Sequence, residues 1–260
     1  MRIIISPAKK MHVDTDSLAP EGLPQFLSEA RRLLSALRAM PGPALQALWN
    51  CNDAIAALNM ERLRHMDLER DLTPAILSYE GIQYQYMAPG VFETGQFEFI
   101  QEHLRILSGF YGLLRPFDGV VPYRLEMQAR LAVDGHRDLY AFWGDKLALA
   151  LARETDWVLN LASKEYSRAV QAHLPGPVRL VNCVFGEAVN GKVVEKGTLC
   201  KMARGQMVRF IAEHAIMQPE GLKDFCDLGY RFDAARSGAD RFVFIKEKRS
   251  EEHTSELQSH

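Results

Sequence analysis

The stretch Trp157-Val-Leu-Asn-Leu-Ala-Ser163 is the most informative about the fold, because in it a predicted short apolar strand is followed directly by a predicted helix cap. Residues 157–161 are rich in apolar and β-favouring side chains, which predicts a buried strand. Ser163 is a residue type that caps helix N-termini, and apolar spacing through residues 166–173 predicts the helix that follows. A strand followed at once by a helix is typical of sheets covered by helices.

The same alternation continues on both sides of this stretch. Asn190-Gly191, the dipeptide most typical of a two-residue hairpin turn, lies between two further predicted strands. Apolar periodicity predicts strands over residues 3–5, 178–185, 192–196, 230–232 and 242–245, and helices over residues 24–40, 43–57, 59–66, 97–107, 139–153 and 198–216. We therefore predict an α+β (mixed α/β) fold, with a mixed sheet with hairpins flanked by helices, in a single domain over residues 1–248.

Residues 249–260 are expected to lie outside that domain and to be disordered. They hold one large apolar residue, Leu257, and they resemble the translation of a sequencing adapter that has been read through in frame. This tail holds one of the 31 basic and three of the 33 acidic residues of the chain. The remaining domain is therefore neutral, so any polyanion must bind to a local patch.

The composition is that of an ordinary globular protein. The chain has 260 residues, of which 47% are hydrophobic and 25% charged, and no apolar stretch approaches the roughly 18 residues of a membrane span. The four cysteines show neither a zinc spacing nor a disulfide framework. We expect a cytoplasmic protein, a monomer, with no metal, no cofactor and no membrane partner.

Two polar residues follow the first predicted strand. Residues 3–5 run directly into Ser6-Pro7-Ala8-Lys9, and the proline stops the strand and projects the polar groups at its end. Ser6 and Lys9 are therefore candidate site residues.

The segment Leu104-Arg-Ile-Leu-Ser-Gly-Phe-Tyr-Gly-Leu-Leu-Arg-Pro-Phe-Asp118 is the strongest candidate for a binding element. We predict that a helix ends at Ser108, that Gly109 and Gly112 bracket a hairpin, and that a second helix carries Arg115. Backbone N–H groups in such a helix-hairpin-helix element approach a phosphate closely. The alternative is a tight packing corner with Phe110 and Tyr111 in the core.

Two further basic segments accompany it. Tyr123 and Arg124 follow a proline, and Arg124 either reaches the same anion as Arg115 or pairs with a neighbouring carboxylate. The predicted helix over residues 198–216 places its basic residues on one face and its apolar residues on the other. The basic face holds Lys201, Arg204 and Arg209, with Gly205 among them; the alternative is an ordinary solvated helix face.

No dinucleotide, P-loop, serine-hydrolase or zinc-protease motif occurs in the chain. Whether the protein is an enzyme is therefore left uncertain by the sequence, and the absence of these motifs makes a binding protein the favoured interpretation.

Several unusual motifs stand in an order that resembles the YaaA peroxide-stress family over residues 1–245. They are Ser6-Pro-Ala-Lys9, Leu107 to Asp118, Pro122 to Met127, Phe142-Trp-Gly144, Asn160-Leu-Ala-Ser163 with Glu165-Tyr166, Lys201 with Ala203-Arg-Gly205, and Gly229-Tyr230. The resemblance implies a bacterial cytosolic protein that protects against hydrogen peroxide and limits available intracellular iron.

The resemblance also implies DNA binding through phosphates, with low sequence specificity. A helix-hairpin-helix-like element is carried over onto Ser108, Gly109, Tyr111, Gly112 and Arg115, and a basic cleft onto Lys9, Arg124, Lys201, Arg204 and Arg209. Met202 is a departure from the family pattern, since some relatives carry a second basic residue at this position, and its presence would weaken the patch in this chain.

Two alternatives remain. An enzyme acting on a phosphorylated or nucleotide-like small molecule would bring Ser6, Lys9, Arg115, Tyr123 and Lys201 into one narrow pocket. Direct iron binding is disfavoured, because the sequence shows no compact cluster of histidines and carboxylates. The observation that separates the first alternative from DNA binding is whether the basic side chains share one cleft, and how wide that cleft is.

Overall fold

A computed structural model of the chain describes residues 1–247. Its helices are α1 (Leu27–Arg38), α2 (Gly42–Trp49), α3 (Asp53–His65), α4 (Ala75–Ser78), α5 (Ile82–Met87), α6 (Thr94–His103), α7 (Leu139–Trp143), α8 (Lys146–Glu154), α9 (Lys164–Gln171) and α10 (Gly197–His214). Short 3-10 helices occupy Pro89–Val91, Pro219–Asp224, Asp227–Gly229 and Ala234–Arg236. The predicted tail over residues 249–260 lies outside the described residues.

The strands are β1 (Arg2–Ile5), β2 (Lys10–Met11), β3 (Thr73–Pro74), β4 (Tyr79–Glu80), β5 (Leu104–Ser108), β6 (Gly112–Leu114), β7 (Gly119–Val120), β8 (Trp157–Leu161), β9 (Arg179–Val189), β10 (Lys192–Val194), β11 (Tyr230–Phe232) and β12 (Arg241–Lys246). The main sheet has the order β11-β12-β9-β8-β1-β5-β6, with β10 paired to β9. β2 pairs with β4, and β3 with β7, outside the main sheet.

The middle of the main sheet is parallel and its margins are antiparallel. The strands β12, β9, β8, β1 and β5 run in one direction, while β11 and β6 run against their neighbours. Helices pack against this sheet, and the α+β mixed sheet with hairpins that the sequence predicts is confirmed. β1 lies at the centre, where Ile3, Ile4 and Ile5 are wholly buried because both faces of a parallel strand are covered.

The chain leaves the central strands in opposite directions. From β1 it proceeds to β5 on one side, whereas from β8 it proceeds through α9 to β9 on the other. The loops after β1 and β8 therefore diverge and leave a crevice at the carboxyl ends of these strands, which is where open α/β sheets bind ligands.

The helix-hairpin-helix prediction is wrong in secondary structure. α6 ends at His103, and residues 104–108 form β5, which pairs with β6 in a β-hairpin whose register joins Ser108 to Gly112. β5 is buried along its length, and its Leu104 and Leu107 continue the helical spacing of Phe99 and Ile100, which is why the sequence predicted one helix there. A short apolar run does not by itself distinguish a buried strand from a buried helix.

The predicted helix over residues 139–153 also differs, since it is divided. α7 and α8 are separated at Gly144, whose φ of 50° ends α7. This left-handed conformation favours glycine and does not continue a helix.

α5 and α10 pack against each other at Gly205. A Cβ added to Gly205 would overlap the carbonyl oxygen of Gln83 on α5 and would lie 3.0 Å from the Met87 amide nitrogen. The space beside Gly205 on α10 is therefore filled by the backbone of α5.

Gly205→Ala is expected to destabilise the protein by about 1–3 kcal/mol, because the added methyl group must separate two packed helices. Helix propensity alone predicts the opposite sign, a gain of about 1 kcal/mol. Urea unfolding followed by circular dichroism measures the difference. Gly197→Ala is the matched control at the start of the same helix, where an added Cβ meets nothing within 4 Å. Equal stabilities of the two variants would contradict the packing account.

Asp118 closes the turn after the hairpin. Its carboxylate accepts a hydrogen bond from the Arg115 amide at 2.8 Å, and the residue is only 7% exposed. Burial raises the pKa of Asp118 from 3.8 to about 6, against the opposing effect of that hydrogen bond. A carboxyl with a raised pKa in the folded state stabilises the fold below about pH 4, and this contribution is lost as the pH rises through 6.

Asp118→Asn is therefore expected to raise the free energy of unfolding by about 1–3 kcal/mol at pH 8, because the amide keeps an acceptor without a buried charge. The gain should fall below about 0.5 kcal/mol near pH 3.5, where the wild-type carboxyl is mostly protonated in both states. Urea unfolding across this pH range is the measurement, with Asp16→Asn as the control for losing an exposed negative charge. A gain that does not change with pH would refute the assignment.

Candidate functional site

Two serines join the diverging loops at the carboxyl ends of β1 and β8. Ser6 directly follows β1, and Ser163 stands before α9. The amide of Ser163 donates a hydrogen bond to Ser6 Oγ at 2.8 Å, and the two hydroxyl oxygens lie 3.2 Å apart. The buried phenol of Tyr84 donates to the Ser6 carbonyl at 2.9 Å. These bonds fix the N-terminus of α9 at the end of the central strand.

A cavity of about 440 Å³ opens at this point. Its volume is that of a small-ligand site and falls well short of the groove that a nucleic-acid duplex would need. Four cationic residues line it, together with three carboxylates and the two serines. The cations are Lys9, Lys10, Lys201 and Arg204, and the carboxylates are Glu80, Glu126 and Glu165.

The cavity brings together residues that are distant in the sequence. Lys9 comes from the loop after β1, whereas Lys201 and Arg204 project from one face of α10. Of the residues expected at the site, Ser6, Lys9, Lys201 and Arg204 therefore share one cavity.

Ion pairs hold most of these cations. Lys9 Nζ lies 2.9 Å from Glu126, and Lys10 pairs with Glu80. Arg204 Nη2 lies 3.7 Å from Glu195, which is long for an ion pair. Within residues 1–247 no ion pair involves Lys201, which is exposed at the cavity rim.

Arg204 has unused hydrogen-bonding capacity. Its side chain is 14% exposed, and its buried Nε has no acceptor among residues 1–247. Buried donors in native proteins nearly always have a partner, so an unfilled one beside a cavity indicates a place for a ligand acceptor or water.

Glu165 is less of an obstacle to an anion than its formal charge suggests. Burial raises the pKa of Glu165, and repulsion by Glu126 adds to the rise, while a hydrogen bond from the Gln128 amide opposes it. A carboxyl that takes up a proton more readily repels a bound anion less.

Arg115 and Arg209 lie away from this cavity. Arg115 follows β6, which is antiparallel to β5, and it lines a separate cavity with Arg2 and Arg105 at the amino ends of the strands. Arg209 pairs with Glu213 one turn further along α10, at 2.7 Å. The expectation that Arg115 contributes to one shared pocket is therefore wrong for this structure.

The hairpin residues form a packing corner, the alternative that the sequence left open. Ser108, Phe110 and Tyr111 are wholly buried, and Ser108 Oγ accepts the amides of Phe110 and Tyr111 at 3.1 and 2.9 Å. The N–H groups expected to bind a phosphate are therefore already satisfied. The Tyr123 phenol, also buried, lies 2.6 Å from Ser108 Oγ.

The two hairpin glycines serve close packing. A Cβ on Gly109 would lie 2.6 Å from the Leu125 carbonyl oxygen. Gly112 has a φ of 76°, and its Cβ would lie 2.7 Å from the Trp143 ring. Atoms of the protein therefore occupy the space through which a ligand would have to reach either glycine.

Arg124 is also enclosed. Its side chain is 10% exposed, and its Nη2 lies 3.4 Å from the Trp49 carbonyl oxygen and 3.5 Å from Glu126. Arg124 therefore pairs with a carboxylate, which is one of the two interpretations that the sequence allowed. It does not line the cavity itself but contacts Glu126, which does.

Sequence reasoning missed Ser163, Glu126 and Glu165 as site residues. Ser163 was predicted only as a helix cap, although it follows β8 much as Ser6 follows β1. A polar residue just after an apolar strand was the available signal.

Neither a metal centre nor a membrane segment was found in residues 1–247. No group of three or more His, Cys, Asp or Glu side chains is arranged to hold a metal ion there. None of the helices in that range is both long and apolar enough to cross a membrane.

Comparison with known proteins gives a consistent assignment. The sequence profile of the family described as "Peroxide stress protein YaaA" matches residues 1–236. A UPF0246 protein of Desulfitobacterium hafniense is 53% identical over 246 residues, which cover 95% of this chain and 98% of that protein. UPF0246 proteins of Lachnoclostridium phytofermentans and Pediococcus pentosaceus are 52% and 50% identical over 246 residues, covering 95% of this chain and 96% and 98% of theirs. The chain therefore belongs to the peroxide stress protein YaaA family.

Proposed function

We propose that this protein acts in the peroxide stress response by binding DNA, and that it holds a DNA phosphate in the cavity lined by Ser6, Lys9, Lys201 and Arg204. The observation that carries the proposal is that Lys9, Lys201 and Arg204, which are distant in the sequence, converge on the crevice at the ends of β1 and β8. The N-terminus of α9, which the Ser163 amide holds against Ser6 Oγ, lies at the same cavity, and the positive end of the helix dipole there favours a phosphate.

The dimensions of the cavity define what part of DNA it would receive. A volume of about 440 Å³ suits one nucleotide unit of a single-stranded or unpaired region. A duplex would contact only the exposed rim, where Lys201 lies. Because the cations address phosphate, sequence specificity should be low.

A phosphorylated or nucleotide-like small molecule is the second candidate ligand, and the small volume of the same cavity favours it. The two candidates differ in how affinity depends on length. An oligonucleotide that binds no more tightly than its mononucleotide would favour the small molecule, and release of inorganic phosphate would identify turnover. DNA binding requires affinity that grows with the number of phosphates.

Lys201→Ala and Arg204→Ala are each expected to weaken binding of a fluorescent single-stranded oligonucleotide. Each should also reduce the slope of log Kd against log salt by about 0.7–1, because each removes one phosphate contact. Fluorescence anisotropy at a series of salt concentrations measures both quantities.

Arg209→Ala and Arg115→Ala are the matched controls, since each removes one arginine outside the cavity. They should leave the affinity within about twofold of wild type. Salt-independent binding, or equal losses in all four variants, would contradict the proposed site.

The link to lower available intracellular iron belongs to the same proposal. Bacteria that lack this protein should show more chelatable iron under peroxide, measured by electron paramagnetic resonance of whole cells. The wild-type gene should restore the low level, whereas a gene encoding Lys201→Ala with Arg204→Ala should not. The Arg209→Ala gene is the control and should restore it. Full restoration of the low iron level by the double variant would show that the effect on iron does not depend on the cavity.

A further inference from the structure

A second cavity adjoins the first behind the Lys9–Glu126 ion pair. It has a volume of about 480 Å³, and both Lys9 and Glu126 line the two cavities. α2 supplies one side, through Ala44, Ala47, Leu48 and Trp49, and Gln128 and Arg130 stand at the other. The ion pair, 2.9 Å between Lys9 Nζ and Glu126 Oε2, thus lies on the border between the two cavities, and we call it the partition between a first and a second compartment.

The second compartment combines apolar and polar surfaces in a way that suits a heterocyclic ring. Alanine and leucine side chains of α2 give it an apolar side, and Asn50, Gln128 and Arg130 give it hydrogen-bonding groups. Planar bases need both, because their faces are apolar and their edges carry donors and acceptors.

Two buried donors behind the partition lack acceptors. Trp49 is 4% exposed and lines the second compartment, and its Nε1 has no partner within residues 1–247. Arg124 Nε also has no acceptor within residues 1–247, and Arg124 Nη2 makes only a long hydrogen bond of 3.4 Å to the Trp49 carbonyl oxygen. Unfilled donors at such depth indicate a missing acceptor.

We propose that this Trp49 compartment receives the base of the nucleotide whose phosphate lies in the first cavity. This inference rests on the proposed function, and it specifies the ligand as a nucleotide unit rather than a bare phosphate. An acceptor on the base edge takes the hydrogen bond from Trp49 Nε1, and the polar side chains at the opening contact the remaining edge.

The partition is built to open when a phosphate arrives. An anion in the first cavity draws the Lys9 ammonium away from Glu126. Glu126 Oε1 already lies 3.5 Å from Arg124 Nη2, so the released carboxylate turns to Arg124 and supplies the acceptor that Arg124 Nε lacks. The ligand then spans both compartments, and no charge is left unpaired.

Isothermal titration with thymidine 5′-monophosphate and with 1,2-dideoxyribose 5-phosphate tests the proposal, since the second probe is the same sugar phosphate with hydrogen in place of the base. Wild-type protein should bind the nucleotide about tenfold more tightly. Trp49→Phe should remove most of this preference and leave the affinity for the sugar phosphate unchanged. Trp157→Phe is the matched control at the opposite ends of the strands and should keep the preference.

Ala47→Phe is an independent test that leaves the hydrophobic core unchanged, because Ala47 is exposed on α2 and lines the compartment. The larger side chain should fill the space and abolish the preference for the nucleotide. Equal affinity of wild-type protein for the two probes would overturn the base compartment, as would a preference that survives in Trp49→Phe and Ala47→Phe. If neither probe nor any oligonucleotide binds, the proposed function itself fails.

Discussion

The parallel pairing of β1 with both β5 and β8 is the constraint on which the rest of the structure depends. Ile3, Ile4 and Ile5 pair on both sides and are wholly buried. The chain must therefore leave this strand at a fixed edge of the sheet, and the polar residues Ser6 and Lys9 follow there at once. Because the connections from β1 and β8 diverge, the same pairing that forms the core also opens the crevice.

Side chains then bring cationic groups together at that crevice. The Ser163 amide bonded to Ser6 Oγ orients α9 toward the crevice, and α10 is held close by a glycine contact with α5. This contact places Lys201 and Arg204 opposite Lys9. Packing between helices and the electrostatics of the site are therefore coupled, since moving α10 outward would separate the cations.

The sequence could predict the features that depend on residues close together in the chain, and it could not predict those that depend on contacts between distant residues. Local signals gave the strands around Trp157 and the Asn190-Gly191 hairpin, and a polar strand end gave Ser6 and Lys9. The spacing on α10 likewise gave Lys201 and Arg204. The secondary structure and role of residues 104–118 were predicted wrongly. The glycines of this segment allow close packing against Leu125 and Trp143, and those contacts exist only in the folded chain. A glycine pattern does not reveal whether the close neighbour is a ligand or a side chain.

The balance of charge in the crevice has a consequence for how it would select a ligand. Four cations stand against three carboxylates, and Lys9 and Lys10 are already paired. Attraction over long distances is therefore weak, in keeping with a neutral domain. To bind at Lys9, a ligand would have to replace Glu126, and Arg124, whose Nη2 already lies 3.5 Å from Glu126, would make this exchange less costly by accepting the displaced carboxylate. Such a site would discriminate by shape and by exchange of partners more than by net charge.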